Sequence, residues 1–174
     1  RPPAIKKIQK KNYPPLSGPF HSAFDHLTKA AAQSRLKGQA DYPLFAGVLE
    51  FSYLENTGAA FSSFLGKQGF LITLTSLVML FLLIKYVQIP EGKRYLPMRL
   101  SLLLIVSGGI GNLIDRIANG YVVDFIYFVP IDFPKFNVAD CYVTVGMAVL
   151  CFLCFFYYKD DELDFLFSLK QWRK

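Results

Sequence analysis

Gly108 to Asp140 reads GGIGNLIDRIANGYVVDFIYFVPIDFPKFNVAD. The stretch opens in the last third of one apolar segment and closes on the first turn of the next. It is therefore a connection between two membrane-length runs. Four carboxylates (Asp115, Asp124, Asp132 and Asp140), Arg116, and the amides of Asn112 and Asn137 stand in it close to hydrocarbon. Ionisable groups at the margin of a bilayer are costly, and the first reading of such a group is a functional site. The plainer role, capping helix ends and facing water, has to be weighed residue by residue.

Outward from this stretch the chain is dominated by uncharged runs. Gln68–Ile84 and Leu100–Ile114 contain no acid or base, and Cys141–Tyr158 repeats the pattern. With their flanks they give spans of about 68–87, 97–116 and 138–158, long enough for a hydrocarbon core of about 30 Å. Cys141, Cys151 and Cys154 all lie in the last run. They read as small buried or lipid-facing side chains and not as a disulfide framework. Over the whole chain 53% of residues are hydrophobic and 18% charged, a balance foreign to a soluble domain of 174 residues. The formal charge of +6 comes from short basic clusters between apolar runs, which fits membrane topology and argues against nucleic acid as a partner.

Residues 16–36 are a weaker span, interrupted by Pro19, His21, Asp25, His26 and Lys29. Their Ala-rich second half favours helix. Asp25 and Lys29 are four apart, share a helix face and can pair. The plainer alternative is a surface helix with one ordinary ion pair. Counting Lys and Arg decides in favour of a span. The N-terminal tail carries five, Lys85–Arg99 four and the segment from Lys159 four, against six elsewhere. Thirteen against six puts both termini and the basic loop in the cytoplasm, which requires four crossings. The expectation is one domain over 1–174: a basic cytoplasmic tail (1–15), a mainly α four-helix membrane bundle, and a small external β element at 37–66. In that element VLEFSYLE alternates like a strand and Asn56-Thr57-Gly58 signals a turn.

Within the quoted stretch the residues sort by chemistry. Ser107 and Gly111 have small-xxx-small spacing, which lets another helix approach closely. Asn112 and Arg116 share one helix face at the outer end of their span, where Arg116 could snorkel to headgroups and Asp115 could neutralise it. Asn137-Val138-Ala139-Asp140 has the form of a helix start, with Asn137 as N-cap and Asp140 at N3. Asp124, flanked by Val122, Val123, Phe125 and Ile126, is no ordinary solvated loop residue. Asp124 and Asp140 bound one external loop 16 residues apart. Two carboxylates at close range share a proton, so one can act as base while the other acts as acid. That pair could activate water for attack on a peptide carbonyl.

Four blocks in order resemble the bacterial lipoprotein signal peptidase (signal peptidase II) family: Asp25-His26-Leu27-Thr28-Lys29, Asn56-Thr57-Gly58-Ala59-Ala60-Phe61, Gly108–Arg116 running into Val122-Val123-Asp124-Phe125, and Phe136-Asn137-Val138-Ala139-Asp140. The resemblance runs from about Phe24 to Tyr158. It implies a multi-pass aspartyl endopeptidase of the cytoplasmic (inner) membrane with its active site on the external face. Such an enzyme cuts a prolipoprotein on the N-terminal side of its diacylglyceryl-modified cysteine. Asp124 and Asp140 match the family's catalytic dyad. Asn56, Gly108, Asn112, Arg116 and Asn137 match pocket-lining residues, and Asp25 and Lys29 match a bracing pair, with Asp115 beside them as further support. The implied partners are the lipidated precursor, membrane lipid and globomycin-type inhibitors, on a monomer without metal or cofactor. His26 stands where the family usually has glutamine, and Pro14, Pro15, Pro19 and His21 interrupt a first span that is normally apolar. A rival reading is a small proton- or ion-conducting protein that uses the same acids as a relay.

Overall fold

The computed structural model describes residues 18–58 and 66–167. The expected tail at 1–15, the start of the first span, Ala59-Ala60-Phe61 and the last basic residues lie outside them. Four long helices and one three-stranded sheet make up the architecture: α1 (Gly18–Leu36), β1 (Tyr42–Phe45), β2 (Leu49–Asn56), α2 (Gln68–Gln88), α3 (Leu96–Asn119), β3 (Val122–Phe128) and α4 (Val138–Phe152), with a short α5 (Asp164–Phe167). The mainly helical bundle with a small sheet after the first helix is the expected fold class.

Among the described residues, three segments are long and apolar enough to cross a membrane: Gln68–Gln88, Lys93–Asn119 and Val138–Tyr157. α2 turns Leu74, Leu77 and Phe81 outward, and α4 does the same with Val145, Met147 and Phe152. Contiguous apolar surface of this kind is what water-facing proteins avoid and lipid-facing ones need. α1 is not among the three, because its polar residues dilute it. It is nonetheless no surface helix. Asp25 and Lys29 are 1% and 4% exposed, so the pair read from spacing is an interior one.

α3 is the central element. Gly108 and Gly111 let α4 and α1 close on it: a Cβ on Gly108 would meet the Ala139 carbonyl oxygen at 2.3 Å, and one on Gly111 would meet Asp25 Oδ2 at 2.9 Å. At its other end Met98, Leu102 and Ile105 form a core with Tyr86, Leu153 and Tyr158. α3 stops at Gly120, whose left-handed φ of 77° favours a residue without Cβ, and its N–H returns to the Arg116 carbonyl.

The sheet has order β1-β2-β3, antiparallel throughout. β3 amends the sequence expectation, in which Asp124 and Asp140 bound one external loop and the external β element ends at 66. The connection after α3 supplies the third strand, with Asn56 opposite Val122 and Leu54 opposite Asp124. A second amendment concerns the segment from Lys159, read as basic tail. Its described part folds back on the bundle: Tyr95 stacks on Tyr158 at 5.4 Å, Phe165 meets Tyr95 edge-on, and Arg94 clasps Glu162 with two bonds of 3.0 Å. Cys141, Cys151 and Cys154 are free thiols.

Candidate active site

The strand period of two explains how an acid enters an apolar run. Val123 and Phe125 point from β3 to one face, where they pack with Ala32 of α1. Val122 and Asp124 therefore point to the other, and both line a cavity of about 470 Å³. Asp140 enters the same cavity from the first turn of α4. Two elements distant in sequence thus deliver their carboxylates to one space.

Amides hold both acids. Asn56 Nδ2 donates to Asp124 Oδ2 at 2.8 Å, and Asn137 Nδ2 donates to Asp124 Oδ1 at 2.7 Å. Asn112 Nδ2 donates to Asp140 Oδ1 at 2.8 Å. Asn137 is also the N-cap of α4: its side chain accepts from the Asp140 N–H at 3.0 Å, and its own N–H donates to Asp140 Oδ2 at 3.1 Å. This reciprocal capping box needs only residues three apart, which is why the local sequence announced it. Asp124 is 2% exposed. Burial, and secondarily the charge of Asp140, push its carboxyl up to about 7, against the lowering effect of the Asn56 and Asn137 amides.

Behind Asn112 lies a buried charged cluster. Lys29 Nζ reaches Asn112 Oδ1 at 2.8 Å and stands 2.7 Å from both Asp25 Oδ2 and Asp115 Oδ2. Asp25 Oδ1 accepts the Ala139 N–H at 2.9 Å, so the first helix anchors the first turn of the last. One lysine facing two carboxylates in the interior fixes α1, α3 and α4 relative to each other. It also orients the carbonyl of Asn112 so that its amino group faces Asp140. His26 adds a longer contact to Asp115, 3.6 Å from Nδ1 to Oδ1.

The remaining expected site residues divide. Asn56, Asn112 and Arg116 line the cavity with Asp124 and Asp140. Arg116 is steered by the carbonyls of Gly58 at 3.1 Å and of Asn112 at 3.4 Å. Gly108 and Asn137 do not reach the cavity wall. Gly108 serves the α3–α4 crossing, and Asn137, 0% exposed, lies behind the two aspartates. The cavity has further walls that the sequence reading passed over: Phe133, Lys135, Phe136 and Thr144. A lone lysine in the apolar, aromatic segment Phe133-Pro134-Lys135-Phe136 between α3 and α4 was the available signal for the second of these.

A helical membrane protein with two amide-held acids on one cavity, Asp124 buried and Asp140 half-buried, belongs, by build, among polytopic membrane enzymes. Comparison gives the family. A model described as "Signal peptidase (SPase) II" matches residues 20–156, and the chain belongs to that family of peptidases, which process lipoprotein precursors. The chain is 46% identical over 129 residues to the lipoprotein signal peptidase of Clostridium tetani (strain Massachusetts / E88), covering 72% of this chain and 81% of that one. It is 40% identical over 128 residues to the lipoprotein signal peptidase of Streptococcus pyogenes serotype M5 (strain Manfredo), covering 74% and 83%. Two solved structures, both described as a bacterial membrane enzyme determined by the in meso method, superpose with TM-scores of 0.69 and 0.70 at 28% identity. They cover 80% and 82% of this chain, and 85% and 92% of their own.

Proposed function

We propose that Asp124 and Asp140 form the catalytic pair of an aspartyl endopeptidase. It cleaves prolipoprotein signal peptides on the N-terminal side of the diacylglyceryl-modified cysteine. The observation that carries this reading is that both acids wall one cavity, each oriented by an asparagine amide, with Asp124 held above the ordinary carboxylate range. The pair shares one proton. The ionised member takes a proton from water as the oxygen attacks the scissile carbonyl. The protonated member first supports the carbonyl oxygen and then delivers a proton to the leaving amine.

Asn56 and Asn112 orient the two acids from the cavity wall, and Asn137 does so from behind. Gly108 admits α4 to its seat, and the cluster of Asp25, Lys29 and Asp115 braces Asn112. Arg116 meets the substrate backbone. The enzyme is a single domain of the bacterial inner membrane, with the sheet and cavity on the external side and the acyl chains of the substrate in lipid beside the bundle. It works as a monomer and is blocked by globomycin-type inhibitors. The relay alternative calls for acids distributed along several spans. Asp25, Asp115, Asp124 and Asp140 gather instead at one end, and α2 contains none.

The test is cleavage of a lipidated precursor by purified protein, with and without globomycin. Asp124→Asn and Asp140→Asn, each folded and membrane-inserted, are expected to lose roughly 10²–10⁴-fold or more of the rate. Near-normal cleavage by either variant overturns the dyad.

A further inference from the structure

His26 touches the buried cluster behind the site, and the proposed chemistry leaves it without a task. Its Nδ1 stands 3.6 Å from Asp115 Oδ1. From that contact a path of shorter ones runs inward to the cavity. The other Asp115 oxygen meets Lys29 Nζ at 2.7 Å, Lys29 reaches Asn112 Oδ1 at 2.8 Å, and Asn112 Nδ2 donates to Asp140 Oδ1 at 2.8 Å. Only the outer link of this path is open to the surroundings: the imidazole is 38% exposed, whereas the side chains of Asp115 and Lys29 are 8% and 5% exposed. A proton can therefore come and go at His26 while the bundle stays closed.

The charges at this end of the bundle give the contact a meaning. Asp25, Asp115, Asp124 and Asp140 are four acids, and the proposed pair shares one proton, which leaves three negative charges. Lys29 of α1 and Arg116 of α3 offset two of them. The groups on the remaining elements do not change the count. Glu55 of β2 is matched by Lys37 at 2.6 Å, and the Lys135 ammonium lies over the Tyr127 ring, on the sheet face opposite Asp124. Tyr142 of α4 and Tyr53 of β2 are phenols and add no charge. One negative charge is left over, and Asp25, Asp115 and Asp124 are all buried, where an unbalanced charge is costly. Among the described residues the bases within 4.0 Å of these four acids are Lys29 and His26, and Lys29 is already counted.

We propose that His26 is a positioning residue of the site. Protonated, it takes up one oxygen of Asp115, leaves Lys29 to Asp25 and Asn112, and so keeps the Asn112 amide on Asp140. Its charge also offsets the surplus that would otherwise tighten the hold of the aspartate pair on its protons. It acts through Asp115, Lys29 and Asn112 and does not itself touch substrate. The inference rests on the proposed pairing of Asp124 and Asp140.

The test is the pH profile of kcat/KM for a lipidated precursor in mixed micelles, measured on the unsubstituted chain, His26→Gln, His26→Phe and His26→Arg. The position of the acidic limb does not depend on how much of each preparation is folded. His26→Gln and His26→Phe remove the cation, so the pair takes up its second proton more readily and the acidic limb moves to higher pH. The expected shift is roughly half a pH unit, the scale of one charge acting from on the order of 10 Å through a medium between protein and water. His26→Arg keeps the positive charge, and its acidic limb is expected to stay with that of the unsubstituted chain. An acidic limb that stays in place in His26→Gln and His26→Phe overturns the assignment, as does one that moves equally far in His26→Arg. Near-normal cleavage by Asp124→Asn removes the pair itself, whereas an inactive Asp124→Asn beside an unmoved limb in His26→Gln removes only the role of His26.

Discussion

Asn137 carries more of the site than its size suggests. One amide group caps α4 through its oxygen and holds Asp124 through its nitrogen, with Asn112 Oδ1 and the Val123 carbonyl within 3.3 Å of the same nitrogen. Asn137→Ala therefore deletes an N-cap, worth about 1–2 kcal/mol. It also leaves Asp124 with one side-chain donor where it had two. The expected outcome is a lower unfolding temperature in detergent together with a cleavage loss larger than that stability change explains. Activity that falls only in step with the folded fraction would argue that the residue is merely a cap. The state of Asp124 gives a pH signature. Its carboxyl is raised from 3.8 to about 7 by folding. Below about pH 4 it is protonated in both folded and unfolded chains, so it exerts no bias. Between pH 4 and 7 the unfolded chain sheds the proton while the folded chain keeps it, so stability falls as pH rises through that window. Thermal unfolding from pH 4 to 8 should show this decline, and Asp124→Asn should flatten it. An identical slope in both proteins contradicts the assignment.

Among the elements, the α3–α4 crossing is the tightest contact. Gly108→Ala must push aside the Ala139 carbonyl and Val143 Cγ2, which a Cβ would meet at 2.3 and 2.9 Å. The backbone of α4 has to give way, and a destabilisation of roughly 1–3 kcal/mol is expected. Gly69→Ala in α2 meets nothing within 4 Å, and helix propensity predicts a gain of up to about 1 kcal/mol. Unfolding temperatures of the two variants should move in opposite directions. Lys29→Met leaves Asp25 and Asp115 buried without their cation, and is expected to cost about 3–5 kcal/mol. The same elements show what could be read in advance. The capping box and the Asp25–Lys29 pair were legible because both are local, three and four residues apart on a helix. The strand at Val122–Phe128 was not: it exists by pairing with β2, which lies some seventy residues earlier, and its alternation is masked because Val122 to Phe125 are buried on both faces. The convergence of Asn112 and Asp115 on Lys29 is likewise long-range and leaves no spacing to find.

For the molecule as a whole, the proposed orientation sets the sheet and cavity against the loop that follows α2. With Cys141, Cys151 and Cys154 first replaced by alanine, a cysteine at Lys135 should react with an impermeant maleimide from outside intact cells. A cysteine at Glu91, exposed between α2 and α3, should react only after the membrane is breached. The reverse pattern turns the topology over. The bundle is also closed differently at its two ends. One end is held by buried charge around Lys29, the other by stacked aromatic rings and the Arg94–Glu162 clasp. The apolar runs were enough to locate the three long spans. The aromatic closure escaped notice because it relies on residues after Tyr158 that look like a polar tail.

The capping residue of the last long helix is also the residue that fastens the strand-borne acid, and that helix supplies the other acid itself. If these two acids are the proposed pair, cleavage is thereby tied to the order of synthesis. On the proposed dyad, a chain halted in the translocation machinery before its final crossing would lack Asp140 and one of the two amides on Asp124, so half-made copies in the membrane would be harmless to passing substrates.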